Sequence, residues 1–71
     1  MTMEQIDFFL MTVRCDTFLE AAENLHIAQS TLSKQIQKLE SELNLTLFDR
    51  TRRQAVLTPA GELFCLSLIH I

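Results

Sequence analysis

Residues Thr17–Leu43 have the sequence TFLEAAENLHIAQSTLSKQIQKLESEL, which predicts two helices joined by a short turn. Thr17 and Glu20, three residues apart, form a capping box that starts the first, short helix. Two adjacent alanines in that helix allow a neighbouring helix to approach closely, as the sharp crossing of a helix-turn-helix requires. The turn covers residues 26–28, and the second helix begins near Gln29 and continues to the end of the stretch. We therefore predict a helix-turn-helix.

The second helix has one apolar face and one polar face. Its apolar residues recur every three or four positions, as in a helix that packs on a core: Leu32, Ile36, Leu39 and Leu43. The opposite side, called the polar face below, consists of Ser30, Lys34, Gln37 and Ser41. Asn44 follows the last apolar position and tolerates the left-handed conformation that often ends a helix. The pattern predicts a helix that buries one face and offers the other to a partner.

The flanking segments predict one helix before this motif and a hairpin and a helix after it. Thr2 and Gln5 form another capping box, followed by apolar residues at helical spacing: Ile6, Phe9, Leu10 and Val13. Two short apolar runs, 45–48 and 55–57, surround a charged tip and predict a β-hairpin, which we call the wing (residues 45–57). Thr58 and Pro59 are a cap and first-turn pair that starts a further helix.

These elements together predict a mainly α fold, a winged helix-turn-helix. It has a three-helix core, a short β-hairpin wing and the start of a linker helix. We expect residues 1–57 to form the domain and residues 58–65 to begin the linker helix.

Charge is distributed unevenly along the chain. The net charge of −3 argues at first against nucleic-acid binding. Residues 1–25, however, hold five acids against one base. Five of the six basic side chains lie in two segments without acids, 26–38 and 50–61: Lys34, Lys38, Arg50, Arg52 and Arg53. We therefore predict a domain with one cationic side.

The sequence lacks the residue patterns that several other functions require. The chain has no nucleophile–base pair and no Gly-rich phosphate loop, so we expect neither enzyme activity nor a cofactor. Cys15, His26, Cys65 and His70 do not have metal-ligand spacing, so no metal site is expected. The sequence also lacks a secretory signal and a run of about 18 apolar residues, which predicts a cytoplasmic protein without a membrane partner.

The polar face and the wing tip predict contacts with double-stranded DNA, because an α-helix fits the major groove. The Gln29 amide suits an adenine edge, Ser30 and Ser33 suit a base edge or a phosphate, and Lys34 suits a guanine edge or the backbone. Guanidinium groups at the wing tip suit phosphates or a narrow minor groove. The alternative is a small helical protein–protein interaction module, which would not need three arginines at the wing tip.

Residues 18–40, FLEAAENLHIAQSTLSKQIQKLE, resemble the helix-turn-helix of LysR-type transcriptional regulators. LNLTLFDR at 43–50 and LTPAG at 57–61 are similar to the wing and linker-helix start of that family, so the resemblance covers about residues 3–64. It implies DNA contacts by Gln29, Ser30, Thr31, Ser33, Lys34, Arg50, Arg52 and Arg53. We add Gln37 from the polar face and Lys38 from the cationic segment to the expected DNA-binding set.

The resemblance also implies properties of a larger protein. In this family a long helix after the wing pairs subunits into homodimers or tetramers, and a separate C-terminal domain binds a small-molecule effector. Residues 66–71, LSLIHI, lack a helical charge pattern and resemble one reading frame of a transposon adaptor repeat used in sequencing-library preparation. We expect this tail to be non-native and the chain to be a fragment that binds DNA weakly, mainly as a monomer.

Overall fold

The computed structural model describes residues 1–69, which form four helices and a two-stranded hairpin. In chain order the elements are α1 (Met3–Arg14), α2 (Phe18–Leu25), α3 (Gln29–Leu43), β1 (Phe48–Asp49), β2 (Val56–Leu57) and α4 (Pro59–Ile69). α2 and α3 are the predicted helix-turn-helix, and the hairpin between α3 and α4 is the predicted wing. The mainly α winged fold is therefore confirmed. No helix among these residues is both long enough and apolar enough to cross a bilayer.

Threonine hydroxyls start three of the four helices. Thr2 forms a full capping box, in which its hydroxyl accepts from the Gln5 backbone N–H and its own N–H donates to the Gln5 side chain, both at 3.1 Å. Thr17 accepts from the Glu20 N–H at 3.0 Å, which is the forward half of the predicted box. Thr58 caps α4 by accepting from the N–H three residues on, at 3.0 Å. These local predictions succeeded because the cap and its partner are neighbours in sequence.

The two helices of the motif end at left-handed residues. His26 closes α2 with φ of 59°, and Asn44 closes α3 with φ of 56°. Both residue types tolerate this conformation better than most side chains do. The turn after α2 is held by a hydrogen bond of 3.0 Å from the Ile27 N–H to the Ala22 carbonyl. The predicted cap at Asn44 is confirmed.

An aromatic cluster joins the helical core to the wing and to α4. The Phe9 ring lies 5.6 Å from the Phe48 ring and 5.1 Å from the Phe64 ring, centroid to centroid. Phe18 meets Phe48 edge-on at 5.2 Å. Such tilted and edge-on pairs add to the stabilisation that burial provides. Phe9 and Phe48 are fully buried, and the apolar side chains that are fully or almost fully buried with them are Ala21, Ala22, Leu32, Ile36, Leu39 and Leu47.

α1 is the predicted amphipathic helix, but its buried face is centred differently from the apolar pattern. The residues that are buried are Gln5, Phe9 and Thr12, whereas Ile6 and Leu10 are half-buried. Polar side chains can occupy this face because their hydrogen bonds are satisfied there. The Thr12 hydroxyl donates to the Phe8 carbonyl at 2.8 Å, and the Gln5 amide donates to Gln35 of α3 at 3.4 Å.

The strands of the wing are shorter than the apolar runs predict. Only Phe48 and Asp49 pair with Leu57 and Val56, in antiparallel register. Residues 45–47 precede the ladder without joining it, and residue 45 lies in the bend that follows α3. The Ala55 N–H donates to a carbonyl of the α1–α2 loop at 2.8 Å, which attaches the second strand to the helical core.

α4 begins against the carbonyl group of Leu47. The Thr58 N–H donates to the Leu47 oxygen at 2.9 Å, and Gly61 packs on the same carbonyl group. A Cβ atom built on Gly61 would lie 2.1 Å from that oxygen, so only glycine fits here. The approach of α4 to the start of the wing therefore depends on this one residue.

α4 continues beyond the predicted linker segment 58–65 as far as Ile69, the last described residue. Four residues of the predicted tail, 66–69, are thus helical, and His70 and Ile71 lie outside the described residues. A helical conformation does not depend on whether a segment is native, so the non-native origin of residues 66–71 stays a prediction.

Candidate nucleic-acid interface

The predicted site residues of α3 lie on its exposed side. Ser30, Lys34 and Gln37 of the polar face are all exposed, opposite the buried Leu32, Ile36 and Leu39. On a helix with about 100° per residue, Gln29 and Ser33 lie on one flank of α3, between the polar face and the buried residues. Thr31 and Lys38, both exposed, border the polar face on the other flank, about 80° away from the centre of the face.

A concave surface joins one flank of α3 to the wing. This cleft, with a volume of about 420 Å³, has lining residues from the start of α2, from α3 and from the wing: Thr17, Phe18, Leu19, Gln29, Ser33, Arg50, Arg52 and Arg53. Three of these side chains are arginines and none is acidic. The fold therefore brings five of the ten predicted site residues to one surface. Ser30, Lys34 and Gln37 lie next to it on the polar face, whereas Thr31 and Lys38 lie on the opposite flank of α3.

The N-terminus of α3 also faces outward with open hydrogen-bond donors. Its cap residue is Ala28, which has no side-chain oxygen and makes no side-chain cap hydrogen bond. α3 is thus the helix in the described chain that no threonine caps. The first-turn N–H groups and the positive end of the helix dipole suit a phosphate oxygen.

Arg50 is held by the fold more firmly than the other wing arginines. Its guanidinium NH1 donates to Glu40 Oε1 at 2.9 Å, and its Cζ lies 5.5 Å from the centre of the Phe18 ring. Glu40 Oε2 in turn accepts from the backbone N–H groups of Leu47 at 2.7 Å and Phe48 at 3.3 Å. Arg50 lines the cleft, but its charge is already balanced by a carboxylate.

Sequence reasoning did not identify Glu40 as part of this site. An acid on the flank of a helix is usually solvated, and Glu40 precedes its partner Arg50 by ten residues across a turn. The signal in the sequence was that this acid borders the buried stripe of α3 shortly before the chain enters a basic wing. That signal does not specify which arginine folds back.

Arg52 and Arg53 are the exposed cations of the wing. Arg52 Nε lies 3.5 Å from Asp49 Oδ2, and both side chains remain accessible, so water and salt weaken the pair. Among residues 1–69, no ion pair involves Arg53. These two guanidinium groups can therefore bind an anionic partner, in contrast to Arg50.

Asp49 shapes the wing tip. Its Oδ1 accepts from the Thr51 hydroxyl at 2.6 Å and from the Thr51 N–H at 3.0 Å. These hydrogen bonds, followed by the Arg52 charge, hold the pKa of Asp49 below its ordinary value. A lowered pKa means that the carboxylate contributes to stability above its ordinary pKa, and that this contribution is lost as the pH falls through the lowered one. Asp49 is therefore ionised at neutral pH, where its carboxylate accepts both hydrogen bonds from Thr51.

Metal-binding chemistry has no candidate in the part of the chain that the structure describes. Within residues 1–69 no three His, Cys, Asp or Glu side chains are grouped closely enough to hold a metal ion. Of the four sequence candidates, His70 lies outside the described residues.

Comparison with known proteins identifies the family whose sequences this chain matches. The family described as "Bacterial regulatory helix-turn-helix protein, lysR family" matches residues 3–62. An uncharacterized HTH-type transcriptional regulator, YcgK of Bacillus subtilis (strain 168), is 47% identical over 64 residues, which are 90% of this chain and 20% of that protein. A probable RuBisCO transcriptional regulator of Cyanidioschyzon merolae is 46% identical over 63 residues, 89% of this chain and 21% of that protein. The chain thus spans about a fifth of the length of these curated relatives.

Solved structures that are similar to this fold include complexes with DNA. The BenM DNA-binding domain in complex with catB site 1 DNA has a TM-score of 0.92 and 38% identity, and the match covers 99% of this chain and 75% of that one. Full-length CbnR in complex with its target DNA has a TM-score of 0.84 and 33% identity, covering 90% of this chain and 22% of that one.

Proposed function

Because the chain belongs to the lysR family of bacterial regulatory helix-turn-helix proteins and forms its DNA-binding domain, we propose how it contacts double-stranded DNA. α3 enters the major groove, and the wing lies on the adjacent backbone or in the minor groove. The observation that carries this proposal is the cleft, where Gln29 and Ser33 of α3 face the arginines of the wing across a surface without acids.

The residues of α3 divide into readers and anchors. Gln29 offers its amide to adenine N6 and N7, and Lys34 reaches a guanine edge or a phosphate. Ser30, Thr31 and Ser33 donate to base edges or to phosphates near the open N-terminus of the helix. Gln37 and Lys38 lie further along α3 and contact the backbone. Arg52 and Arg53 bind phosphates or the narrow minor groove, with Arg50 beside them.

The direct test is duplex DNA binding by residues 1–71 across a salt series. If about four to six phosphates are neutralised, the logarithm of the affinity falls with the logarithm of salt with a slope of about −4 to −5. Fluorescence anisotropy with a labelled duplex, selected from a randomised pool, measures this slope. Binding that is absent, or that salt does not change, would favour the protein–protein interaction module instead.

Gln29→Ala is expected to relax the base preference at one position of the site by about 1–3 kcal/mol, because alanine cannot make the bidentate amide–adenine hydrogen bonds. The measurement compares the affinities of the selected duplex and of its single-base variants. Gln54→Ala, the same change at an exposed residue outside the cleft, serves as the control and keeps the wild-type preference. Equal losses on selected and random DNA for Gln29→Ala would contradict the role of a base reader.

Properties of the whole regulator follow from the family and are also proposals. We propose that the parent protein regulates transcription in the bacterial cytoplasm without catalysing a reaction, as a homodimer or tetramer. Its small-molecule effector binds a separate C-terminal domain. α4 exposes Leu63, which suits pairing of linker helices in the parent. The chain of residues 1–71 is expected to sediment mainly as a monomer and to bind a single half-site weakly.

A further inference from the structure

The Glu40 carboxylate connects α3 to the beginning of the wing. Although charged, its side chain is only 11% exposed. Each of its oxygens is used: Oε2 accepts from two consecutive backbone N–H groups, of Leu47 and Phe48, and Oε1 accepts from Arg50. A single carboxylate thus receives three donors from a segment of four residues. Charge-assisted bonds of this kind are stronger than neutral ones.

The wing depends on such external contacts for its orientation. Its own ladder consists of two residue pairs, and an isolated two-stranded hairpin of this size is marginal in water. The buried side chains of Leu47 and Phe48 anchor its base in the core. They do not by themselves fix the direction in which the backbone leaves the core. Glu40 contributes to this direction, because it holds both backbone N–H groups at the start of the first strand. The Ala55 N–H attaches the second strand to the α1–α2 loop.

The same carboxylate also orients the wing arginines indirectly. Glu40 holds Arg50 at 2.9 Å, and Arg50 lies over the Phe18 ring of α2. α3, the wing and α2 therefore meet around one ion pair at the edge of the cleft. The exposed Arg52 and Arg53 follow Arg50 by two and three positions, so their direction toward α3 depends on where Arg50 is held.

We propose that Glu40 is a positioning residue for DNA binding, which holds the wing so that Arg52 and Arg53 face Gln29 and Ser33 of α3. The inference rests on the proposed function of the cleft. Glu40 would thus favour DNA binding, although its own negative charge repels the DNA phosphates.

Glu40→Gln tests the proposal by the sign of its effect. The change removes one negative charge from a chain of net charge −3, so charge alone predicts tighter binding to DNA. Glutamine, however, has one acceptor oxygen and no charge, and it cannot serve both the backbone N–H groups and Arg50. We expect binding of the selected duplex to be about three- to tenfold weaker. The matched control is Glu42→Gln, an exposed acid on the same helix that pairs with the N-terminal amino group and not with the wing. This variant is expected to bind as tightly as wild type or more tightly.

A double-mutant cycle separates positioning from general destabilisation. In an Arg52→Ala, Arg53→Ala background the wing lacks its exposed cations, so Glu40→Gln is expected to cause no further loss of affinity. A merely structural role would cause the same loss in both backgrounds. Affinities refer to the folded fraction, measured by circular dichroism at the assay temperature. If Glu40→Gln does not fold, Glu40→Asp, which keeps the charge but withdraws the carboxylate by one methylene, replaces it.

The outcomes distinguish this inference from the proposed function. If wild type shows no salt-dependent DNA binding, the proposed function fails, and the inference fails with it. If wild type binds but Glu40→Gln binds as tightly as Glu42→Gln, only the positioning role is overturned. A loss that persists undiminished in the double-arginine background overturns it as well.

Discussion

Gly61→Ala is expected to destabilise the folded chain by about 2–3 kcal/mol, because the new methyl group would overlap the Leu47 carbonyl oxygen. The distance from a Cβ at this position to that oxygen is 2.1 Å, and backbone cannot rotate away as a flexible side chain does. The Leu47 oxygen also accepts from the Thr58 N–H, so moving it disrupts the start of α4. Thermal unfolding followed by circular dichroism should show a midpoint lowered by about 10–20 °C.

Helix propensity predicts the opposite sign for the same change. Alanine in a helix interior is favoured over glycine by about 1 kcal/mol, so a Gly61 that was free of contacts would be stabilised by the substitution. Glu62→Ala, at the next and exposed position of α4, measures the effect of alanine without the contact and is expected to change stability little. An unchanged or raised midpoint for Gly61→Ala would show that α4 does not pack on Leu47 in this way.

Replacing both Arg52 and Arg53 by alanine is expected to weaken binding to every DNA sequence by about ten- to a hundredfold at moderate salt. These side chains are exposed and, in contrast to Arg50, are not held by a buried carboxylate. If each binds phosphate rather than a base edge, as we propose, selected and random duplexes should lose affinity equally. The salt slope should become shallower by about two, one for each phosphate that the variant no longer neutralises.

Arg14→Ala provides the control for this pair of substitutions. Arg14 is an exposed arginine at the end of α1 and lies outside the cleft lining. The change removes positive charge but leaves the wing intact, so the salt slope should equal that of wild type. A double-arginine variant with an unchanged slope would contradict phosphate binding by the wing. A loss of affinity by this variant that was confined to the selected duplex would also contradict phosphate binding.

The parts of the fold that sequence predicted are those set by neighbouring residues. Helix starts at Thr2, Thr17 and Thr58 follow from hydroxyl groups that reach N–H groups three positions away. The end of α3 at Asn44 follows from its tolerance of the left-handed conformation. The exposed face of α3 follows from helical periodicity. Each of these signals lies within one or two turns of the structure that it specifies.

The parts that sequence did not predict depend on contacts between distant residues. Gln5 and Thr12 occupy the centre of the buried α1 face in place of apolar residues because their hydrogen bonds are satisfied in the fold. The requirement for Gly61 arises from a carbonyl that belongs to the connection before the first strand of the wing. In the site, the difference between Arg50 and its neighbours depends on Glu40. Counting arginines at the wing tip predicts a basic surface but not which guanidinium is engaged.

The separation of α3 into a buried stripe and an exposed face has a consequence for how this domain can be retargeted. Leu32, Ile36 and Leu39 provide the packing, so exchanges at exposed positions of the polar face should each change the unfolding free energy by no more than about 0.5 kcal/mol. A library randomised at Ser30, Lys34 and Gln37 would then contain mostly folded members. Selection in such a library acts on operator preference alone, and paralogues can diverge in the genes they control without passing through unstable intermediates.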